Sequence, residues 1–356
     1  MSTTVAPRAT AGVAGLTSGR LPRWTTGLVL AVCLVASLTL FAAVGSLGLI
    51  RVLIVGVLLF AVVAVVLSSV VEGPRKAKDR LATILVTSAF GLALLPLISL
   101  VLAVVGRGAA RFDGTFFSYS MRSVVGEGGG AVHAITGTLW VTGIATVISV
   151  PIGLLAAIYL VEYGRGRLAR SITFFVDVMT GIPSIVAGLF AYALFVLIFG
   201  PGTKTGLAGA VALSVLMIPV VVRSVEELLK IVPNELREAS FALGVPKWLT
   251  ITKVVLPTAL AGIVTGVMLA IARVIGETAP LLIASGFTQS LNNSPVEGPM
   301  MTLPVFVYRS YVDQGNPASA YVERAWAGAL TLVIIVMVLN LAGRLIAARF
   351  APKTGR

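Results

Sequence analysis

The residues best suited to chemistry in this sequence are two charges inside an apolar stretch, Arg273 and Glu277 within residues 259–286. Each would cost about 2.5–3.5 kcal/mol to place at the centre of a bilayer, so neither is expected to face lipid. Their spacing of four predicts a shared helix face, and it allows either a buried ion pair or a polar pathway. Gly276 and Pro280 flank the pair and would loosen the helix, which favours a pathway.

An arginine in such a pathway offers a forked set of N–H donors to an oxyanion. We expect Glu277 to hold Arg273 in place and to keep its positive charge from trapping the anion. Arg223 and Asp177 are weaker candidates in neighbouring apolar runs, and the run that holds Asp177 is interrupted by the Gly-Ile-Pro-Ser sequence of residues 181–184. A basic residue at a membrane boundary is common, which also explains Arg223, and Asp177 could instead cap an interfacial turn.

The inventory of reactive side chains argues against an enzyme. His133 is the only histidine and Cys33 the only cysteine. No group of Asp, Glu and His has metal-ligand spacing. Residues 200–205 look superficially like a phosphate-binding loop, but the glycine before Lys204 is missing. We therefore expect no catalytic residue, no metal and no cofactor in this chain.

Composition indicates a protein that crosses a membrane several times. Of its 356 residues, 57% are hydrophobic and only 12% are charged, whereas soluble domains carry about 25% charged residues. Apolar runs near or above the ~20 residues that span a bilayer predict an all-α protein with about eight transmembrane helices. The runs are residues 25–45, 52–71, 81–105, 132–160, 171–199, 207–225, 258–286 and 325–348.

Basic residues concentrate in alternate loops and at both termini, with a net charge of +13. This bias predicts that the termini and residues 226–257 are cytoplasmic, and that the positive charge meets anionic lipid rather than nucleic acid. A charged linker follows the first two spans. We predict a disordered cytoplasmic tail over residues 1–24, an accessory hairpin over 25–75 and a six-span core within 76–356.

A long polar interruption, residues 226–257, divides the core. It is too long for a structureless connection. Pro233 and Pro246 suit first-turn helix positions, and Gly244 suits a residue of positive φ that ends a helix. The segment therefore predicts helix, tight turn, helix, and then an exit at Pro257.

The spacing within this segment resembles the cytoplasmic signature of the membrane subunits of bacterial ABC importers. That signature is Glu-Ala-Ala, three residues, Gly, nine residues, Ile, one residue and Leu-Pro. Here the spacing is kept, with Ser and Val replacing one Ala and the Ile, in Glu238, Ala239, Ser240, Gly244, Val254, Leu256 and Pro257. In that family the segment docks into an ATPase subunit. The resemblance implies that these residues couple the chain to a partner, which would hold the ATP and Mg²⁺.

A second segment, residues 271–282, looks like the Ala-Arg-x-x-Gly-Glu-Thr-Ala-Pro-Leu-Leu segment of phosphate permeases of the PstA type. The resemblance extends over about residues 78–350 and implies passage of inorganic phosphate past Arg223, Arg273 and Glu277. It also implies three partners: a second permease of PstC type, an ATPase homodimer of PstB type and an extracytoplasmic phosphate-binding protein in a bacterial plasma membrane. The accessory hairpin departs from the six-span family core.

Two other functions are also compatible with the sequence. A permease of the same class could carry another oxyanion, such as sulfate or molybdate, although the Gly-Glu-Thr-Ala-Pro segment argues against it. An ion-coupled secondary transporter or channel could use Arg273, Glu277 and Asp177 as a relay. That second function leaves the spacing of the cytoplasmic segment unexplained.

Overall fold

The structure, a computed structural model, describes residues 21–45 and 48–350. Within these residues the chain consists of helices, short helical turns and loops and has no β-strand, as the sequence predicts. Seven helices are long and apolar enough to cross a bilayer, and a bent pair brings the number to the expected eight if it counts as one span. The tail predicted over residues 1–24 lies almost entirely outside the described residues.

By internal contacts the chain divides after Val101 into two compact units. The first contains α1 (Arg23–Ala43), α2 (Leu49–Val71) and most of α3 (Pro74–Gly108). Because only a few residues join α1 to α2, the two helices form an antiparallel hairpin. A small apolar cluster holds the unit together and includes Cys33, Phe60, Ala64 and Ile84. The predicted hairpin therefore packs against the N-terminal half of α3.

A buried carboxylate fixes the connection between α2 and α3. Glu72 accepts hydrogen bonds from Arg80 Nε at 2.8 Å, Ser68 Oγ at 2.9 Å and the backbone N–H of Leu21 at 3.0 Å. The hydrogen bond from Arg80, followed by that from Leu21, lowers the pKa of Glu72 from its ordinary value of 4.5 to about 2. Since the folded-state pKa is the lower one, this stabilisation is complete above pH 4.5 and is lost as the pH falls toward 2.

The second unit contains the remaining helices. They are α4 (Gly114–Ser118), α5 (Val132–Ile158), α6 (Arg167–Gly181), α7 (Ser184–Phe199), α8 (Gly206–Ile231), α9 (Asn234–Ala242), α10 (Lys247–Thr250), α11 (Leu256–Val274), α12 (Ala279–Ala284), α13 (Leu303–Val312) and α14 (Ala318–Phe350). A 3-10 turn (Ala109–Arg111) ends α3. Two π-helical turns, Tyr159–Tyr163 and Ile251–Val255, extend α5 and precede α11.

Helix α8 lies at the centre of this unit, with α5, α7 and α11 packed around it. Small residues let the backbones approach closely. A Cβ added at Gly153 of α5 would lie 2.7 Å from Val221 Cγ1, and one added at Gly266 of α11 would lie 3.0 Å from Ser224 Cβ. Small residues at such crossings are typical of helix packing in membranes, where close backbone contact replaces the hydrophobic driving force.

The predicted fifth span, residues 171–199, is not one straight helix. Helices α6 and α7 meet at 109° across Ile182 and Pro183. Proline has no N–H to continue the helix, and it forces the residue before it out of the helical region, here to φ −69° and ψ 128°. The expected interruption of this span is thus a sharp bend.

The polar segment 226–257 forms helix, turn and helix as predicted, and Gly244 has the expected positive φ of 75°. Its two ends differ from the prediction. Helix α8 continues to Ile231, so Glu226 is helical and does not begin a loop. Its salt bridges to Arg223 and Lys230 of the same helix stabilise this last part of α8. The exit at Pro257 is also wrong. Pro257 lies in the first turn of α11, where a residue without a backbone N–H is tolerated, and a helical path runs from Lys247 to Val274.

The long loop between α12 and α13 folds back onto α5. The backbone N–H of Leu303 donates to Thr138 Oγ1 at 2.7 Å. The carbonyl of Met301 lies where a side chain at Gly137 would otherwise stand. Helix α13 then packs against both α5 and α14.

We expect Glu72→Gln to loosen the first unit. A hydrogen bond to a charged group contributes about 1.5–3 kcal/mol, so its loss should raise the population of opened forms about tenfold or more. Cys33 is the sole cysteine and only 3% exposed, so its rate of alkylation by a small maleimide in purified protein measures that opening. The exposed Asp79→Asn is the matched control and should leave the rate unchanged. An unchanged rate in Glu72→Gln would contradict a stabilising role for this carboxylate.

Candidate functional site

Two helix breaks define the candidate site. One is the bend between α6 and α7. The other follows Val274, where α11 ends and a turn through Gly276 and Glu277 leads to α12. Pro280 lies in the first turn of α12, where proline is tolerated. The loosening of this span predicted from Gly276 and Pro280 is confirmed.

Helix α12 packs against α7 and α8, and two glycines allow it to lie close to them. A Cβ at Gly188 of α7 would lie 2.6 Å from Pro280 Cα, and one at Gly209 of α8 would lie 2.8 Å from Ser285 Cβ. Because the first of these neighbours is backbone, it has little room to move. The second break is therefore held against the helix that follows the first.

A cavity of about 230 Å³ opens between the two breaks. Three helical segments contribute to it: α6 with the start of α7, the middle of α8, and the end of α11 with the following turn. The lining residues are Met179, Thr180, Ile182, Ser184, Leu216, Pro219, Val220, Arg273 and Glu277. The wall thus combines one cation, one carboxylate and two hydroxyl groups with apolar side chains.

The structure places Arg273 and Glu277 on the same cavity, but not in the predicted relation. Helix α11 ends before Glu277, so the two residues do not share a helix face. Within the described residues they form no salt bridge with each other, and neither has another ion-pair partner. The expectation that Glu277 holds Arg273 in place is therefore wrong for this conformation. Both groups remain available to a ligand.

Arg223 and Asp177, the weaker candidates, are joined in a salt bridge between α8 and α6. Arg223 Nη1 also contacts Glu226 Oε2 at 2.8 Å, and Glu226 Oε1 accepts from Lys230 Nζ at 2.7 Å. Arg223 lies one turn along α8 from Pro219 in the cavity wall. Glu226 was not predicted as part of this cluster. Its spacing of three from Arg223 indicates an ion pair on a helix and could have identified it.

The predicted coupling residues divide into surface and interior positions. Glu238 and Ala239 are exposed on α9, whereas Ser240 is buried and its hydroxyl lies 2.8 Å from Thr250 Oγ1 of α10. Ser240 thus joins the two short helices across the turn at Gly244. Leu256 and Pro257 begin α11.

Large apolar side chains also lie on the surface of this segment. Leu243 is 83% and Trp248 62% exposed, and Leu236 and Phe241 are also exposed. A patch of apolar residues on an otherwise polar segment is typical of a protein interaction site. Local patterns in the sequence did not predict this exposed patch.

Broken membrane helices around a charged cavity are the features of a helical membrane transporter subunit. Residues 149–356 match the family described as binding-protein-dependent transport system inner membrane component. The chain belongs to this family, so it is a permease subunit and not an enzyme. The predicted class and the all-helical fold are confirmed.

Relatives of known name agree with this family, and a solved structure shares the fold. The phosphate transport system permease protein PstA 1 of Mycobacterium tuberculosis is 47% identical over 276 residues, which cover 76% of this chain and 88% of that protein. The PstA protein of Yersinia pestis is 37% identical over 280 residues, covering 77% and 92%. The fold is similar to a bacterial alginate ABC transporter crystallised with its periplasmic protein, with a TM-score of 0.56 and 13% identity over 78% of this chain and 97% of that one.

Proposed function

We propose that this chain is a membrane-spanning subunit of an ATP-driven importer of inorganic phosphate. The observation that carries the proposal is the cavity on which Arg273 and Glu277 lie without ion-pair partners among the described residues. Relatives at 37–47% identity are phosphate transport permeases, which supports phosphate as the solute.

The cavity is suited to brief contact with an oxyanion. The guanidinium of Arg273 can donate two parallel N–H bonds to phosphate oxygens, and the hydroxyl of Ser184 can add a further bond. Glu277 accepts from a protonated phosphate oxygen but repels the rest of the anion, so binding stays weak. Weak binding suits passage, because a tight site would slow release. High affinity then belongs to the external binding protein.

We propose that the anion contacts Arg223 and Asp177 next on its path through the membrane. Arg223 is shared between Asp177 and Glu226, so its charge is largely compensated in this conformation. If α6 and α8 separate, the salt bridge opens and Arg223 becomes free for the anion. The structure would then correspond to a state in which this part of the path is closed.

The proposed partners follow from the family and from the surface. A related second permease would complete the membrane pathway, and an extracytoplasmic phosphate-binding protein would deliver the anion. An ATPase dimer, with its ATP and Mg²⁺, would bind the surface formed by Glu238 and the apolar patch around Leu243 and Trp248. This requires residues 226–257 and both termini to be cytoplasmic, in a bacterial plasma membrane.

We expect Arg273→Gln to reduce uptake of radioactive phosphate by about 30-fold or more in proteoliposomes that contain the whole complex and internal ATP. The physical reason is the loss of two charge-assisted hydrogen bonds to the anion. Arg122→Gln, which removes an exposed arginine from an outer loop, should take up phosphate at the wild-type rate.

Three outcomes would contradict the proposal in different ways. Normal uptake by Arg273→Gln would remove this side chain from the path. Competition by excess sulfate as effective as that by phosphate would indicate a different oxyanion. Uptake that needs an ion gradient and persists without ATP would indicate a secondary transporter.

Docking of the ATPase on α9 can be tested by reversing one charge on that helix. Glu238→Lys reverses an exposed charge on α9 without disturbing a hydrogen bond in the structure, so the permease should fold normally. We expect the ATPase to be lost when the complex is purified through a tag on this chain. Glu297→Lys, an exposed charge reversal in the loop before α13, should retain it. Retention of a full complement of ATPase by Glu238→Lys would contradict docking at α9.

A further inference from the structure

A nearly buried ion pair joins the polar segment to the end of α5. Glu162 lies in the π-helical turn after α5 and is 6% exposed, while Arg237 lies on α9 and is 12% exposed. Arg237 Nε and Nη2 lie 3.0 and 2.8 Å from Glu162 Oε1. In every other salt bridge of the described residues, at least one partner is clearly more exposed.

The other donors of Arg237 bind the end of α8. Nη2 donates to the carbonyl of Leu229 at 3.0 Å and Nη1 to that of Val232 at 2.6 Å. These carbonyls belong to the last turn of α8 and to its cap, where helical partners are missing. One guanidinium therefore connects three elements: α9, the end of α8 and the end of α5.

A second attachment lies beside the first. Lys247, which begins α10, donates from Nζ to the backbone carbonyl of Glu162. The same ammonium lies 4.8 Å from the centre of the Tyr163 ring. Both short helices of the polar segment are thus fastened to the same π-helical turn. Such turns are frequent at functional sites, because they locally interrupt the regular helix.

From this turn, rigid packing leads toward the cavity. Helix α5 runs along α8, with Gly153 in close contact with Val221. Val221 lies next to Val220 in the cavity wall and two residues before Arg223. Closely packed helices transmit a displacement instead of absorbing it. A displacement of α9 that reaches α5 will therefore also move the face of α8 that lines the cavity.

We propose that Arg237 and Glu162 are positioning residues that form the mechanical joint through which movement of α9 is passed to α5 and α8. The inference rests on the proposed function, since it presumes that a partner ATPase displaces α9. The bonds from Arg237 to the carbonyls of Leu229 and Val232 hold α9 to the end of α8, and its bonds to Glu162 add α5 as a second attachment. Without the Glu162 carboxylate, α9 loses its own attachment to α5 and only the attachment of α10 through Lys247 remains, so less of the movement reaches the path and more ATP is consumed for each anion.

The test measures ATP hydrolysis and phosphate uptake separately in proteoliposomes that contain the whole complex. For Glu162→Gln we expect an assembled complex with ATP hydrolysis within about twofold of wild type. Uptake per ATP should fall about tenfold or more. Glu227→Gln, which removes an exposed carboxylate from α8, should keep the wild-type ratio. Arg237→Lys keeps the charge but loses the fork and should give an intermediate ratio.

A cross-link separates a mechanical role from an electrostatic one. In a Cys33→Ser background, Glu162→Cys and Arg237→Cys are combined, and the two thiols are joined by a short linker that contains a disulfide. Uptake per ATP should rise at least about fivefold on linking and fall again on reduction. This double-cysteine variant also tests the proposal if the complex that carries Glu162→Gln does not assemble.

The result that overturns the inference is distinct from the one that overturns the proposed function. If the wild-type complex takes up phosphate but Glu162→Gln has the same uptake per ATP, the joint is not needed. Loss of hydrolysis and uptake in parallel, or no recovery on linking, would assign the pair to folding or docking alone. Absence of phosphate uptake by the wild-type complex would instead refute the proposed function.

Discussion

The lipid interior offers no hydrogen-bond partner to an unpaired backbone group, and the second unit of this protein is arranged around that constraint. Two of its helices break within apolar stretches, at Pro183 and after Val274. Both breaks lie at one cavity, and Gly188 brings the backbone of Pro280 close to α7. Breaks in membrane helices are tolerated where they lie beside a cavity or are buried in protein. The same arrangement allows Arg273 and Glu277 to lie inside an otherwise apolar region.

The charged groups of this unit differ in how far they are compensated, and this difference suggests their roles. Arg273 and Glu277 have no ion-pair partner in the described chain and are suited to a passing ligand. Arg223 is bound by carboxylates of α6 and α8 and is suited to a contact that opens and closes. Arg237 is the most enclosed of the three arginines and is suited to a permanent joint.

Local patterns in the sequence were enough to predict the long helices, the two breaks and the turn at Gly244, because each depends on neighbouring residues. The spacing of four between Arg273 and Glu277 led to a wrong prediction of a shared helix face, because α11 ends before Glu277. The contacts Asp177–Arg223 and Glu162–Arg237 join residues 46 and 75 positions apart. No local pattern relates such residues, so only the folded chain could bring them together. The functional roles of these residues remain predictions.

The central claim, that the cavity between the two breaks is part of the path for anions, is tested most directly by thiol accessibility. In a Cys33→Ser background, Ser184→Cys places a thiol at the cavity, and Leu189→Cys places one on the exposed apolar side of α7. A negatively charged, membrane-impermeant thiosulfonate should react with the complex carrying Ser184→Cys at least about tenfold faster, and phosphate should slow that reaction. Equal rates at the two positions would contradict the account.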